Sequence, residues 1–213
     1  LSNLSLSDFD VSIIKKFGPE VLIGVDEVGR GPLAGPVVAC AAFVPLEAYK
    51  SLSDINDSKK LTPAARSLFF EHMTKCGVRF GFDYSGHNRI DEINILAATF
   101  EAMHKAVGRL TEYIEIDEKK TLVLVDGPHK IRNFSTKQLP IIGGDGKSLS
   151  IACASIFAKV VRDNWMNILD LSYPEYGFSK HKGYGTKLHL KALKEHGPSP
   201  VHRRSFAPVK SLC

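Results

Sequence analysis

The sequence predicts one α/β domain with a C-terminal helical extension. Three observations carry this. Short apolar, β-branched runs alternate along the chain with stretches whose apolar residues recur at helical spacing. Residues 121–125, Thr-Leu-Val-Leu-Val, are apolar after the first position, as a strand buried on both faces requires. No repeat, low-complexity linker or long charge run divides the 213 residues. The expected core runs over about 20–171 and the extension over about 172–213.

The elements follow in order. Residues 7–17 predict a short helix, with Ser7 or Asp8 as its cap and Gly18-Pro19 as its stop. Val21-Leu22-Ile23 and residues 37–44 predict two strands of an antiparallel hairpin around a tight, glycine-rich loop, closed by Pro45. Residues 54–61 are polar and turn-forming; Thr62 then caps a helix with Pro63 at its first position, running to about Lys75. Residues 78–84 alternate apolar and polar, a third strand. Residues 90–110 carry Ile93, Leu96, Ala97, Phe100, Met103, Ala106, Val107 and Leu110, which predicts one long amphipathic helix. After the strand at 121–125 comes a shorter one at 139–142. Ser148 then caps a helix rich in small apolar residues that continues to about Leu171. One further helix is expected near 186–195, before a tail carrying His202-Arg203-Arg204.

Composition narrows the function. A net charge of +5 and a pI near 9.0 suit a polyanionic partner. Cys40, Cys76, Cys153 and Cys213 form no C-x-x-C pair, which excludes a zinc ribbon or thioredoxin motif and points to a reducing compartment. No apolar run reaches the roughly 18 residues of a membrane span. The first ten residues lack the basic-then-apolar pattern of a signal peptide, so a cytoplasmic location is expected.

The chemistry lies in the acids. Asp26-Glu27 close an otherwise apolar strand, where adjacent carboxylates are costly unless a positive group meets them. Asp126 ends the strand at 121–125, and Asp145 follows the one at 139–142. If the first and the 121–125 strands are parallel neighbours, these ends converge on one edge. Four carboxylates there repel one another and need cations. Oxygen donors without Cys or His favour magnesium or manganese over zinc. Two such ions about 4 Å apart activate water and stabilise a leaving oxygen in phosphodiester cleavage. Taken singly, each acid also reads as a turn residue.

Competing motifs fail on context. Gly29-x-Gly31-x-x-Ala34 fits a dinucleotide fingerprint, but Pro32, Gly35 and Pro36 follow it, not a helix. Gly146-Lys147-Ser148 is half a P-loop whose first glycine would fall on Ile141. There is no H-E-x-x-H and no G-x-S-x-G.

The stretch from Gly24 to Gly35, Gly-Val-Asp-Glu-Val-Gly-Arg-Gly-Pro-Leu-Ala-Gly, resembles the first signature of bacterial ribonuclease HII. The likeness continues through Asn56-Asp57-Ser58-Lys59-Lys60-Leu61, the run 90–96, Val125-Asp126-Gly127, Gly144-Asp145, the run 154–163, Tyr176-Gly177-Phe178, His181-Lys182-Gly183-Tyr184 and His202-Arg203-Arg204-Ser205-Phe206. The resemblance implies a ribonuclease H-like fold, a five-stranded mixed sheet flanked by helices. It implies cleavage of RNA in RNA–DNA hybrids and incision 5′ to single ribonucleotides in duplex DNA, leaving 3′-hydroxyl and 5′-phosphate ends, in ribonucleotide and RNA primer removal. Alternatives of other classes are a non-catalytic binder and a DNA junction nuclease of the same fold. The intact acid set argues against the first, and the glycine-flanked arginine and the tyrosine argue against the second.

Carried over residue by residue, the resemblance makes Asp26, Glu27, Asp126 and Asp145 the catalytic and metal-holding acids, with Mg2+ or Mn2+ as cofactor. Gly29, Arg30 and Gly31 become the loop that reads the 2′-hydroxyl, which distinguishes RNA from DNA. Tyr184 becomes the residue that stacks on the sugar at the junction. Lys59, Lys60, Lys180, Lys182, Arg203 and Arg204 are candidate phosphate contacts, and Ser148 is placed with the substrate contacts. His129 receives no role. Arg30 between its glycines, and a start about twenty residues before the motif, favour the HII over the HIII type. The C-terminal extension is expected to help grip the duplex. The partners expected are RNA–DNA hybrid and ribonucleotide-containing duplex, with no membrane, no obligate protein partner and a monomeric state.

Overall fold

A computed structural model describes residues 4–53 and 62–212. Five strands form one mixed sheet: β1 (Val21–Val28), β2 (Val37–Phe43), β3 (Arg79–Ser85), β4 (Thr121–Asp126) and β5 (Lys137–Ile141), in the order β3-β2-β1-β4-β5. β1 pairs antiparallel with β2 and parallel with β4, and β5 is parallel to β4. The parallel β1–β4 pairing is the condition on which convergence of the acids rests, and it is met.

The helices are α1 (Leu6–Phe17), α2 (Pro63–Lys75), α3 (His87–Ile93), α4 (Ile95–Thr111), α5 (Leu149–Ser172), α6 (Phe178–His181) and α7 (Lys187–His196). Side chains alternate across β1. Ile23 and Val25 pack with Phe100, Met103, Ala106 and Leu110 of α4. Gly24 and Asp26 therefore face α5. A Cβ on Gly24 would fall 2.1 Å from the Ser150 carbonyl carbon, so only glycine lets α5 lie this close. The small residues Ala152, Cys153, Ala154 and Ala158 are buried along the same helix. Asp10 of α1, itself buried, accepts from Ser150 N (2.8 Å) and Ser150 Oγ (2.6 Å), fastening α1 to the start of α5.

Three expectations need correction. The single helix at 90–110 is two, broken at Asn94. That residue takes φ 69°, and its Oδ1 accepts from Leu96 N (3.0 Å) and Ala97 N (3.1 Å) as the cap of α4. The loop after the first strand is not tight: β1 runs on to Val28, and residues 29–36 make a long excursion before β2. The first helix starts at Leu6, because Ser5, not Ser7 or Asp8, accepts from the Asp8 amide as its cap.

Candidate active site

Asp26 and Glu27 lie near the carboxyl end of β1, and Asp126 is the last residue of β4. Asp145 sits in a 3-10 turn, residues 144–146, between β5 and α5. All four line one open groove of about 440 Å³, together with Gly29, Arg30, Gly31, Arg66, Ser155, Lys159 and Tyr184. The chain thus brings together the four acids, the glycine-flanked arginine and the tyrosine from four separate parts of the sequence.

Electrostatics in the groove are strained in one direction. Burial pushes the Asp26 carboxyl well above the usual range, and the neighbouring Glu27 and Asp126 push it further. A hydrogen bond from Ser155 and one from Glu27 N (2.7 Å) partly offset this. Burial also raises Glu27, opposed by Arg30, whose Nη1 lies 3.4 Å from Glu27 Oε1. Asp126 Oδ1 accepts from Gly144 N at 2.6 Å, which ties the end of β4 to the turn that carries Asp145. As they stand, no three His, Cys, Asp or Glu side chains among the described residues are grouped closely enough to hold one ion.

The loop at 29–36 is held from beneath by two buried guanidiniums. Arg203 donates from Nε to Gly35 O (3.0 Å), from Nη1 to Arg30 O (2.9 Å) and from Nη2 to Gly29 O (2.6 Å). Arg162 donates to Pro36 O (3.0 Å), Ala34 O (3.3 Å) and Lys182 O (2.9 Å). Gly29 has φ +96°, and a Cβ there would strike the Arg162 side chain at 2.1 Å. Glycine is needed on both counts. With its carbonyls bound inward, the loop presents Arg30, 48% exposed, at the groove. Tyr184 stands across from it, its ring 3.6 Å from where a Cβ on Gly31 would lie.

Two of the expected contacts, Arg203 and Ser148, are buried. Arg203 is fully buried and grips backbone carbonyls, so it is not a phosphate contact. Ser148 is likewise buried; its Oγ caps α5 by accepting from Ile151 N, so it is no substrate contact. Lys182 lies outside the groove lining, with Nζ bonded to Asn167 Oδ1. Lys180 and Arg204 are exposed, and the Arg204 amide donates to Asp91 Oδ2 (2.8 Å). Lys59 and Lys60 lie outside the described residues. His129 is exposed, its ring edge-on to Phe100.

Sequence reasoning missed three groove residues. Ser155 and Lys159 share one face of α5 at i, i+4 spacing, a signal available in the sequence. Arg66 on α2 had none. Its Nη2 lies 3.1 Å from Asp163 Oδ2, and Lys159 Nζ meets Asp163 Oδ1 at 2.6 Å, so one carboxylate sets both cations beside the acids.

Strand order β3-β2-β1-β4-β5, with acids at the ends of the parallel pair β1 and β4, is that of the ribonuclease H-like fold. The solved ribonuclease H2 from Pyrococcus horikoshii OT3 superimposes with a TM-score of 0.73 at 26% identity, over 90% of this chain and 96% of that one. Bst-RNase HIII in complex with Mn2+ shares the fold, with a TM-score of 0.70 at 17% identity over 90% of this chain and 68% of that one. At the sequence level, the family model described as Ribonuclease HII matches residues 23–209. The ribonuclease HII of Chlamydia pneumoniae is 46% identical over 99% of this chain and 94% of its own length. The chain belongs to the ribonuclease HII family, endonucleolytic hydrolases that act on RNA–DNA hybrids.

Proposed function

We propose that this protein is a divalent-metal-dependent endonuclease that cleaves RNA in RNA–DNA hybrids and incises 5′ to single ribonucleotides in duplex DNA, leaving 3′-hydroxyl and 5′-phosphate ends. The observation that carries the reading is the convergence of Asp26, Glu27, Asp126 and Asp145 in one groove with the loop at Gly29-Arg30-Gly31 and Tyr184. The acids fit a hard cation by their chemistry. All donors are oxygens, and the buried Asp26 is crowded by Glu27 and Asp126, a repulsion that a cation relieves. As they stand the carboxylates are not grouped to hold one ion, so binding would require their side chains to reorient. Magnesium or manganese held there would activate water for attack on the phosphodiester and stabilise the leaving oxygen.

The chain supplies the rest. Gly31, where an added Cβ would meet only the Tyr184 ring, leaves the loop backbone open to the 2′-hydroxyl, Gly29 makes room for Arg162 beneath the loop, and Tyr184 offers its ring to the sugar of the junction nucleotide. Arg30, Arg66 and Lys159 place positive charge beside the acids, where the substrate's phosphates would run. The C-terminal extension with α6 and α7 holds the duplex flank. No helix among the described residues is long and apolar enough to cross a membrane, and Cys40, Cys76 and Cys153 are free thiols. These features support action in the cytoplasm.

The test is a gel assay on duplex DNA carrying one ribonucleotide, with and without magnesium, with product ends mapped to one nucleotide. Magnesium-dependent incision 5′ to the ribonucleotide is expected. Absence of cutting would leave a binder of the same fold, and equal cutting of all-DNA duplex would make it a general nuclease.

A further inference from the structure

We propose that His189 and His202 form a positioning device for Tyr184: a buried hydrogen-bond chain of fixed direction that ends on the tyrosine's own carbonyl and sets the ring for the ribonucleotide. The inference rests on the reading of Tyr184 given above and deepens it.

The direction follows from the two ends. His202 Nδ1 accepts from Ser199 N at 2.9 Å, and an amide nitrogen only donates. That nitrogen therefore carries no proton, and the neutral ring holds its proton on Nε2. Nε2 lies 2.9 Å from His189 Nε2 and donates to it. His189 in turn carries its proton on Nδ1, which donates to Tyr184 O at 3.0 Å, an atom that only accepts. Each ring has one permitted tautomer. Both are buried, His189 at 0% and His202 at 1% exposure. An added proton on either ring would set N–H against N–H.

Burial pulls both imidazoles down to about 4, which keeps the chain neutral near pH 7. His181 stacks on His189 with ring centroids 4.4 Å apart and planes 14° from parallel. Its Nδ1 accepts from Gly183 N (3.2 Å), and its Nε2 donates to Tyr176 O (2.9 Å). Gly183 O accepts from Leu33 N (2.8 Å), and Thr186 N donates the second bond to Tyr184 O (2.8 Å). The backbone on both sides of Tyr184 is thus pinned to the imidazoles and to the loop at 29–36, while the ring stays 42% exposed. A purely structural core would be served by apolar side chains; a chain of fixed polarity ending on one carbonyl specifies a position.

The tautomers are measured first, in the unaltered protein, by long-range nitrogen–proton correlation of the imidazoles. A proton on Nε2 of His202 and on Nδ1 of His189 is expected; the opposite assignment at either ring overturns the proposal. The second arm compares kcat and KM on duplex DNA with one ribonucleotide and on an RNA–DNA hybrid. His189→Leu is expected to lower kcat on the single ribonucleotide about tenfold relative to the hybrid, with KM little changed, as a misplaced contact does. His189→Asn, whose amide offers a donor near the Nδ1 position, is expected to restore most of it. Equal loss in the Asn and Leu variants, or none in the Leu variant while Tyr184→Ala loses the preference, overturns the positioning role alone. An unchanged preference in Tyr184→Ala overturns the reading of the tyrosine, and this inference with it.

Discussion

Replacing Arg203 by lysine isolates the guanidinium fork from its charge. Three carbonyls, Gly29, Arg30 and Gly35, lean on one planar group at 2.6–3.0 Å, and its other face covers the Phe206 ring at 5.1 Å. Burial, with Arg162 beside it, pulls the Arg203 guanidinium down to about 9, so it stays charged at pH 7. A lysine ammonium keeps the charge but directs its donors in a cone instead of a fork. It reaches two of the three carbonyls at most. Leaving one buried carbonyl unpaired costs about 1–3 kcal/mol, and the weakened pair of bonds brings the total to about 2–5 kcal/mol. For a chain of 213 residues, each kcal/mol moves the melting point by about 2–4 °C, so a fall of roughly 4–20 °C is expected. The same change loosens the loop that carries Arg30, so incision at a single ribonucleotide should fall about tenfold more than cleavage of a continuous hybrid. Thermal unfolding and the two cleavage rates, measured on one preparation, decide it. A melting point within about 2 °C of the unaltered protein, with both rates intact, would refute the idea that Arg203 holds this loop.

Asp126→Asn should abolish cleavage while the protein keeps its circular dichroism and melting behaviour, because the amide still accepts from Gly144 N but brings no charge to the acids; near-full activity would contradict the metal assignment. Asp26→Asn should raise the melting point of chelator-treated protein at neutral pH. Asp26 sits above its unfolded range, so its contribution is present below that range and is lost as pH rises through the folded value; a lower melting point at pH 7 would count against it. His189 and His202 sit at about 4 against an ordinary 6.5. Their contribution is full above 6.5 and lost as pH falls toward 4, on the order of a few kcal/mol for the pair. Urea unfolding from pH 7 to 4 should show a shallower decline in the double variant His189→Asn/His202→Gln than in the unaltered chain.

Asp26, Glu27 and Asp126 were legible because they close apolar runs, and a strand end is where a carboxylate has no packing reason to be; Asp145 was legible by its glycine-rich turn between a strand and a helix. Their convergence needed one fact that periodicity does not carry, the parallel pairing of β1 with β4. The break at Asn94 escaped because apolar spacing continues across it; a left-handed asparagine that caps the next helix changes the backbone without changing the pattern. Arg203 was misread for a different reason. His202-Arg203-Arg204 looks like a basic tail, and of the two adjacent arginines one is exposed and the other fully buried. What separates them is whether carbonyls or water meet the guanidinium, and the carbonyls that meet Arg203 lie 168 to 174 residues earlier in the chain. Residue type predicts that an arginine seeks oxygen; only the fold says whose oxygen. In this chain it is that of the loop at 29–36, so an arginine at the far end of the sequence belongs structurally to a loop near its beginning.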